Sequence, residues 1–588
     1  MAIPNPSPAG SRDPQAGGFS LVEGLSFSLL LALASIELVG YRYGDSNQGI
    51  TVPILKSFID PSLYRWDAMV ATGDRFPTLF YRTLGALLPD TDAVPAAFFL
   101  LYVASIAGAY AGVYRIGRFF GGPAAGLVAM LAAIPVRVGI ANEALYRVQF
   151  SHSHIASALV IWAIVWFLEG RRLLPLLVLS LGAYNHLLYS AYVLAPCLLA
   201  VLTEWKQAGS RRTLQRLAAG ILPLVPFAFW ALSRSAPMTQ EWLDLLRLRS
   251  SFHSFPSSFG AFLPAAAFLL ALGTLSLSRQ PREKRRVLAL FFAAFAALFV
   301  LGTIFTEVLP LKAVLQAQPH RCWRFLMLLL YGLAAEGIVA GWRAGGAARA
   351  VALVTGAILV DPRLEPLMPF AVFLQASLGR PAPATWARLL AVGALVGLAD
   401  WDGPRLEWNP TEYPFATLVH PTVLLAAAIG VVLAMGREAG RLTRPLVAAA
   451  ALVATLFWFG PDTYARKRLK WESGSWREVQ DWVRLNTPKD AILVTPPQET
   501  GFRVFSERTS VGEWKDGTQQ YFDDAFALEW GARMEVLGRD GFARLDDEEL
   551  IAIAARYRAS YVVIPPRRRH PALRELYRNP HYVVYAVP

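Results

Sequence analysis

Charge is what this chain has least of. Asp, Glu, Lys and Arg make up 17% of its 588 residues, against about 25% in ordinary soluble proteins. With 55% hydrophobic residues and a mean hydropathy of +0.38, that shortage excludes both a soluble enzyme and a long disordered chain. Cysteine is almost missing. Cys197 and Cys322 lie in or beside apolar runs, so neither a disulfide framework nor a thiolate metal centre is implied. Lysine is scarce as well, at 8 of the 56 basic residues. The net charge of +13 is therefore arginine, and most of it falls in short loops between apolar runs. That pattern orients membrane helices rather than binding a polyanion, and no nucleic-acid partner is expected.

What the chain has in quantity is apolar side chain, about 320 residues of it. At about 20 apolar residues per bilayer crossing this supplies about thirteen to fifteen helices. The expected fold is a polytopic α-helical membrane protein, with the lipid bilayer as its first partner. Residues 1–18 read as a polar cytoplasmic leader and 19–461 as the transmembrane domain. The first apolar run, 19–40, has no Ala-x-Ala exit and reads as an uncleaved span. Further spans are expected within 93–114, 119–136, 148–168, 217–233, 250–278, 287–306, 325–335, 413–436 and 445–461. Residues 173–203 carry basic flanks on both sides, so they must enter and return. Gly182, Asn185 and His186 mark the expected bend. Basic clusters recur at every second loop, which places the N-terminus inside and three loops outside: 41–92, 140–154 and 306–323.

After Pro461 the composition changes. Residues 462–588 read as a soluble extracytoplasmic α/β domain. Ser475-Trp476-Arg477-Glu478 has the form of a capping box opening a helix that stops near Asn486. Strands are expected at 491–495, 561–564 and 582–587, and a second helix at Asp546, with Glu549 three residues on.

Two stretches carry a resemblance. Trp476-Arg-Glu-Val-Gln-Asp-Trp482-Val-Arg-Leu-Asn486-Thr487-Pro488-Lys-Asp490-Ala491-Ile-Leu-Val resembles the junction of membrane and soluble domains in GT-C glycosyltransferases, oligosaccharyltransferase catalytic subunits being a well-known example. The tail, Tyr557-Arg-Ala-Ser-Tyr561-Val-Val-Ile and Leu576-Tyr577-Arg-Asn579-Pro-His-Tyr582-Val-Val-Tyr585, resembles them too. The resemblance implies a transferase of a bacterial-type cytoplasmic membrane. It would take a sugar from a polyprenyl-phosphate carrier to an acceptor on the outer face. One departure is plain. Where oligosaccharyltransferases carry Trp-Trp-Asp-Tyr-Gly for a peptide acceptor, this chain has Thr495-Pro-Pro-Gln-Glu-Thr-Gly501, which argues against a peptide sequon as acceptor. A transporter or flippase of a lipid-linked or polar substrate, and a scaffold that kept the fold without the chemistry, are the alternatives.

The resemblance also implies an essential carboxylate soon after the first span. Asp45 stands there, as base or metal ligand, or else as an ordinary residue of the Gly-Asp-Ser-Asn turn. Asp67 is a second catalytic candidate in the same loop. Glu307, in Thr303-Ile-Phe-Thr-Glu307, is a third, resembling a Thr-Ile-x-Glu motif with one residue too many. Glu143, His152 and His154 offer a metal set for Mg or Mn, although two His spaced by two diverge by about 200° on a helix. His320, Arg321 and Arg324 stand at an outer membrane edge, against the positive-inside bias. They are expected to hold the carrier phosphate, with snorkelling beside Trp323 as the alternative. His186 could reach substrate or simply close its bend. Glu37 and Glu336, carboxylates inside apolar runs, are further candidates.

Overall fold

The computed structural model describes residues 28–33, 39–134, 140–232, 237–259, 278–360, 368–377 and 474–588, with a few isolated positions besides. The leader 1–18, Glu37, the boundary near 461 and the apolar runs at 413–436 and 445–461 lie outside the described residues. The described chain is mostly helical, with a small sheet in its C-terminal part. Four helical stretches are long and apolar enough to cross a membrane: Val94–Ala132, Ser210–Trp230, Arg282–Val308 and Lys312–Ala344. His152–Leu168, Leu173–Gly182 and Leu187–Thr203 are apolar but shorter. Among the described residues, then, apolar side chain is shared between span-length helices and shorter ones.

Val94–Ala132 is bent back on itself. Gly122 takes φ +79°, a conformation that L side chains rarely adopt, and Pro123 follows it. A Cβ on Gly117 would lie 2.5 Å from the Ala125 carbonyl, and one on Gly126 would lie 2.7 Å from the Tyr114 ring. The two halves, read in the sequence as separate runs, therefore close on each other through small residues. Helix Trp323–Ala344, buried along most of its length, packs against this hairpin.

The expected bend at 182–186 is present between Leu173–Gly182 and Leu187–Thr203. His186 caps the second helix, its Nδ1 accepting from the Tyr189 N–H at 3.4 Å. Asn185 Nδ2 donates to the His152 carbonyl at 2.8 Å. The run expected from 250 onward starts differently. Residues 250–254 belong to helix Gln240–Ser254, which lies against the C-terminal domain, with Trp242 Nε1 donating to the Gln520 carbonyl at 3.0 Å.

The C-terminal sheet has five strands: β1 (Ile492–Val494), β2 (Thr509–Ser510), β3 (Tyr561–Ile564), β4 (Arg574–Arg578) and β5 (Val583–Ala586). Their order is β2-β1-β3-β5-β4. β1 runs parallel to β2 and β3, while β5 is antiparallel to both its neighbours. The Asp546–Glu549 capping box forms as expected. The one at Ser475 does not. Gly474 is the N-cap, so Ser475 is already helical, and Glu478 instead accepts from Asn579 Nδ2 at 3.2 Å.

The loop 41–92 is stapled to this domain. Lys56, on helix Gln48–Ile59, donates to the Val504 carbonyl (3.0 Å) and to Glu507 (2.6 Å). Tyr64 donates its hydroxyl to the Arg503 carbonyl at 2.7 Å. Arg503 itself, 1% exposed, meets Asp67 at 2.5 Å, Asp516 at 2.9 Å and Glu513 at 3.3 Å. Three carboxylates share one guanidinium. Burial, together with the charges of Asp516 and Asp67, pushes Glu513 up to about 8 despite Arg503.

Two outcomes follow from this centre. Replacing Arg503 by Met leaves buried carboxylates unpaired and should cost about 3–5 kcal/mol, read as a lower denaturation midpoint. The folded pKa of Glu513 lies above its ordinary 4.5, so its contribution is complete below that value and is lost as pH rises through about 8. Thermal midpoints should accordingly fall between about pH 4.5 and 8, with a flatter slope for Glu513→Gln.

Candidate functional site

Asp45 is aimed by a turn that only glycine can make. Gly44 sits at φ +88° and Ser46 at φ +55°. A Cβ on Gly44 would come 2.4 Å from the Phe505 ring, so the C-terminal domain can approach only because none is there. Gln48 locks the turn, accepting from the Gly44 N–H (2.6 Å) while its Nε2 donates to the Phe150 carbonyl (2.9 Å). The Asp45 carboxylate, 24% exposed, accepts from Gln149 Nε2 at 3.1 Å and faces Arg42 at 3.7 Å. Arg42 and Gln149 also pair through their backbones in a parallel bridge. Asp45 lines a cleft of about 830 Å³ whose opposite wall is the C-terminal domain, including Trp476, Arg477, Glu499, Arg567 and Tyr582.

The segment that supplies Gln149 also supplies Glu143, which is buried against Arg321 and, at 3.3 Å, Arg324. Tyr189 donates its hydroxyl to Glu143 at 3.0 Å, and Arg324 lies 4.2 Å from the centre of the Tyr189 ring. Burial pushes the Glu143 carboxyl up, but the guanidiniums of Arg321 and Arg324 outweigh it and hold the group below the usual carboxylate range. His186 stacks on Tyr189 with centroids 3.9 Å apart, and His152 stacks on His186 at 5.1 Å. Glu143, Arg321, Arg324 and His186 thus share one buried cluster.

Several expected roles are not met. Asp67 is buried, accepts from the Met69 and Val70 N–H groups at 3.1 Å each, and pairs with Arg503. With every lone pair engaged it is a staple between loop and domain, not a base facing substrate. Glu143, His152 and His154 do not meet as a metal set. Glu143 is committed to arginines, and His152 Nδ1 lies 2.8 Å from the Tyr81 hydroxyl. Both ring nitrogens of His154 engage the backbone of Ser151 and Arg147. Among the described residues no group of three or more His, Cys, Asp or Glu side chains is arranged to hold a metal ion. Glu307, in a π-helical turn, accepts from the Ser257 N–H at 2.8 Å and makes no contact with the Glu143 cluster. His320 is buried between Phe259 and Phe299 beside Thr303, separate from the arginines that follow it. Glu336 lines a small cavity with Arg279 and Gln375, away from these loops.

Three cations of the site went unread in the sequence: Arg147, Arg249 and Lys515. Arg147 is tied to Asn142, its guanidinium 2.5 Å from the Asn142 carbonyl, on a loop where Ala141 and Asn142 both hold positive φ. It feels the charges of Glu143, Arg321 and Arg324. Arg249 donates to the Trp514 carbonyl (2.8 Å) and Thr518 Oγ1 (3.2 Å). Lys515 lies in electrostatic reach of Arg249, Arg147 and Asp45. Arg147 falls in the 140–154 loop, which the charge pattern of the sequence places on the same side as Arg321 and Arg324, so the same reading would have flagged it.

Comparison with known proteins adds one match. A family described as "Domain of unknown function (DUF6798)" matches residues 474–537, the stretch that carries Trp476, Arg503 and Lys515. No curated protein matches the chain.

The division between staple and site carries a prediction. Asp67→Asn should lower the denaturation midpoint by the equivalent of about 2–5 kcal/mol, since it breaks a fully buried hydrogen-bonded pair. Asp45→Asn, at a partly exposed turn, should leave the midpoint within about 1 kcal/mol of wild type. Parallel melts of the two variants make the check.

Proposed function

We propose that this chain is a membrane-embedded, GT-C-like glycosyltransferase that moves a sugar from a polyprenyl-phosphate-type carrier to an acceptor on the outer face of a cytoplasmic membrane. The observation that carries the reading is the placement of Asp45. Its carboxylate lines a cleft between the first outer loop and the C-terminal domain, next to a region where cations outnumber carboxylates. The span-length apolar helices are compatible with a bilayer setting.

In this reading Asp45 takes the proton from an acceptor hydroxyl as that oxygen bonds to the sugar's anomeric carbon. The bond from that carbon to the carrier phosphate breaks, and the phosphate leaves with the electron pair. Cations beside it stabilise the charge it gains. The groups that interact with the Asp45 carboxylate are Arg42, Gln149 and Lys515. Those neighbours do not fit a divalent metal, and no step here is assigned to one.

The test is transfer from radiolabelled polyprenyl-phosphate monosaccharides to membrane acceptors, using membranes that contain either wild type or Asp45→Asn. The variant should lose at least about a hundredfold in rate, the lower end for a general base, with unchanged expression and melting. Undiminished transfer by Asp45→Asn would remove Asp45 from the chemistry. Loss of the wild-type signal across a broad donor panel would favour a transporter or a scaffold.

A further inference from the structure

The cleft that Asp45 lines has a chemistry of its own on the facing wall. Trp476 and Tyr582 form an aromatic floor there, their ring centres 4.8 Å apart. That floor is held rigidly. Trp476 Nε1 donates to the Thr500 carbonyl at 3.1 Å, and the Tyr582 hydroxyl donates to Glu499 at 2.7 Å. With its one polar atom engaged, half-buried Trp476 has only ring surface left to offer a ligand. Arg477 lies over the Phe505 ring, 3.5 Å from its centre, and pairs with Asp481 at 2.7 Å. Arg567 also lines the cleft. It follows Pro565 and Pro566, whose fixed φ stiffens the chain, and His570 anchors the same loop by meeting Asp547 at 2.6 Å. Among the described residues the Arg567 guanidinium has no hydrogen bond or ion pair.

The lining carries both signs together. Asp45 and Glu499 accept hydrogen bonds, Arg477 and Arg567 donate them, and His581 can do either. A strong anion gains little from so balanced a set, and an acyl chain would strand its charges out of water. A hydroxyl-rich ring suits it. Each hydroxyl both donates and accepts, while the C–H face of a pyranose is apolar and lies flat against an aromatic ring. At about 830 Å³ the cleft also falls within the range of small-molecule pockets. We infer that this cleft is a saccharide site, with Trp476 as the stacking platform and Glu499 and Arg567 as hydroxyl ligands. Asp45 stands on the wall opposite them. That the bound sugar serves as acceptor rests on the transferase reading; that it binds does not, so the two can fail separately.

The experiment uses the full chain in detergent. Its probes are an array of neutral oligosaccharides of bacterial-envelope type, an array of peptides, and inorganic phosphate, with each hit measured by calorimetry. Wild type is expected to bind oligosaccharides and neither of the other two. Trp476→Ala should weaken that binding by about tenfold or more, as truncating an aromatic anchor does, and Trp476→Phe should recover most of it. Arg567→Gln, an exposed change, should cost about threefold to tenfold in affinity with an unchanged melting midpoint. Asp45→Asn should keep the glycan while losing transfer. Oligosaccharide binding by a wild type that transfers no sugar would remove the transferase reading and leave the saccharide site standing. No oligosaccharide bound by wild type, peptides or phosphate bound in their place, or equal affinity in wild type, Trp476→Ala and Arg567→Gln, overturns the inference.

Discussion

The arrangement rests on a single buried guanidinium. Arg503 draws Asp67 from the loop 41–92 into the C-terminal domain, where Asp516 and Glu513 complete its surroundings. A charge moved out of water is tolerated only with close partners and satisfied hydrogen bonds, and here the donors are supplied on every side. Asp67 accepts from Met69, Val70 and Ser510 as well as from Arg503, and Glu513 accepts from the Gly501 and Phe502 N–H groups. The loop cannot move away from the domain without stranding these groups. The turn that bears Asp45 inherits that constraint, because it leads directly into the helix that Lys56 and Glu507 hold down.

A site assembled in this way belongs to neither part alone. Asp45, Gln149, Arg147 and Glu143 come from loops between helices, whereas Lys515 and the carbonyl that aims Arg249 come from the C-terminal domain. Precision at such a seam depends on rigidity in both parts. Gly44 permits van der Waals approach to Phe505, and the buried ion pairs fix the register of loop and domain. The left-handed residues at Ser46, Ala141 and Asn142 are conformations that cost energy in an L-residue. These three flank charged side chains, while Tyr64, Gln318, Glu507 and Arg558 hold positive φ elsewhere in the described chain.

Local patterns were legible in the sequence, while partnerships across the chain were not. The strand near 492, the strand at 561–564, the box at Asp546 and the bend at His186 are written in a few neighbouring residues, and each appears in place. Asp67 was misread because its partner lies 436 residues away, and nothing local separates a loop carboxylate that will be buried from one that will not. His152 and His154 diverge as helical spacing requires, one toward Tyr81 and the other back onto its own cap. The resemblance at Trp476 falls in the stretch that the family match also covers. It could not single out Lys515, since an isolated lysine in a soluble domain ordinarily means only a solvated surface.

The cost of that lysine is an argument about design. A fold under selection for stability alone would neutralise Lys515 or turn it toward water, because like charges at low dielectric repel strongly. A few residues away the same chain spends three carboxylates on one arginine, so acidic residues were not lacking at the seam. Raising Glu513 toward a protonated state is how the Arg503 centre balances its charge, whereas Lys515, on the helix that Glu513 caps, meets the positive charges of Arg249 and Arg147 against Asp45 alone.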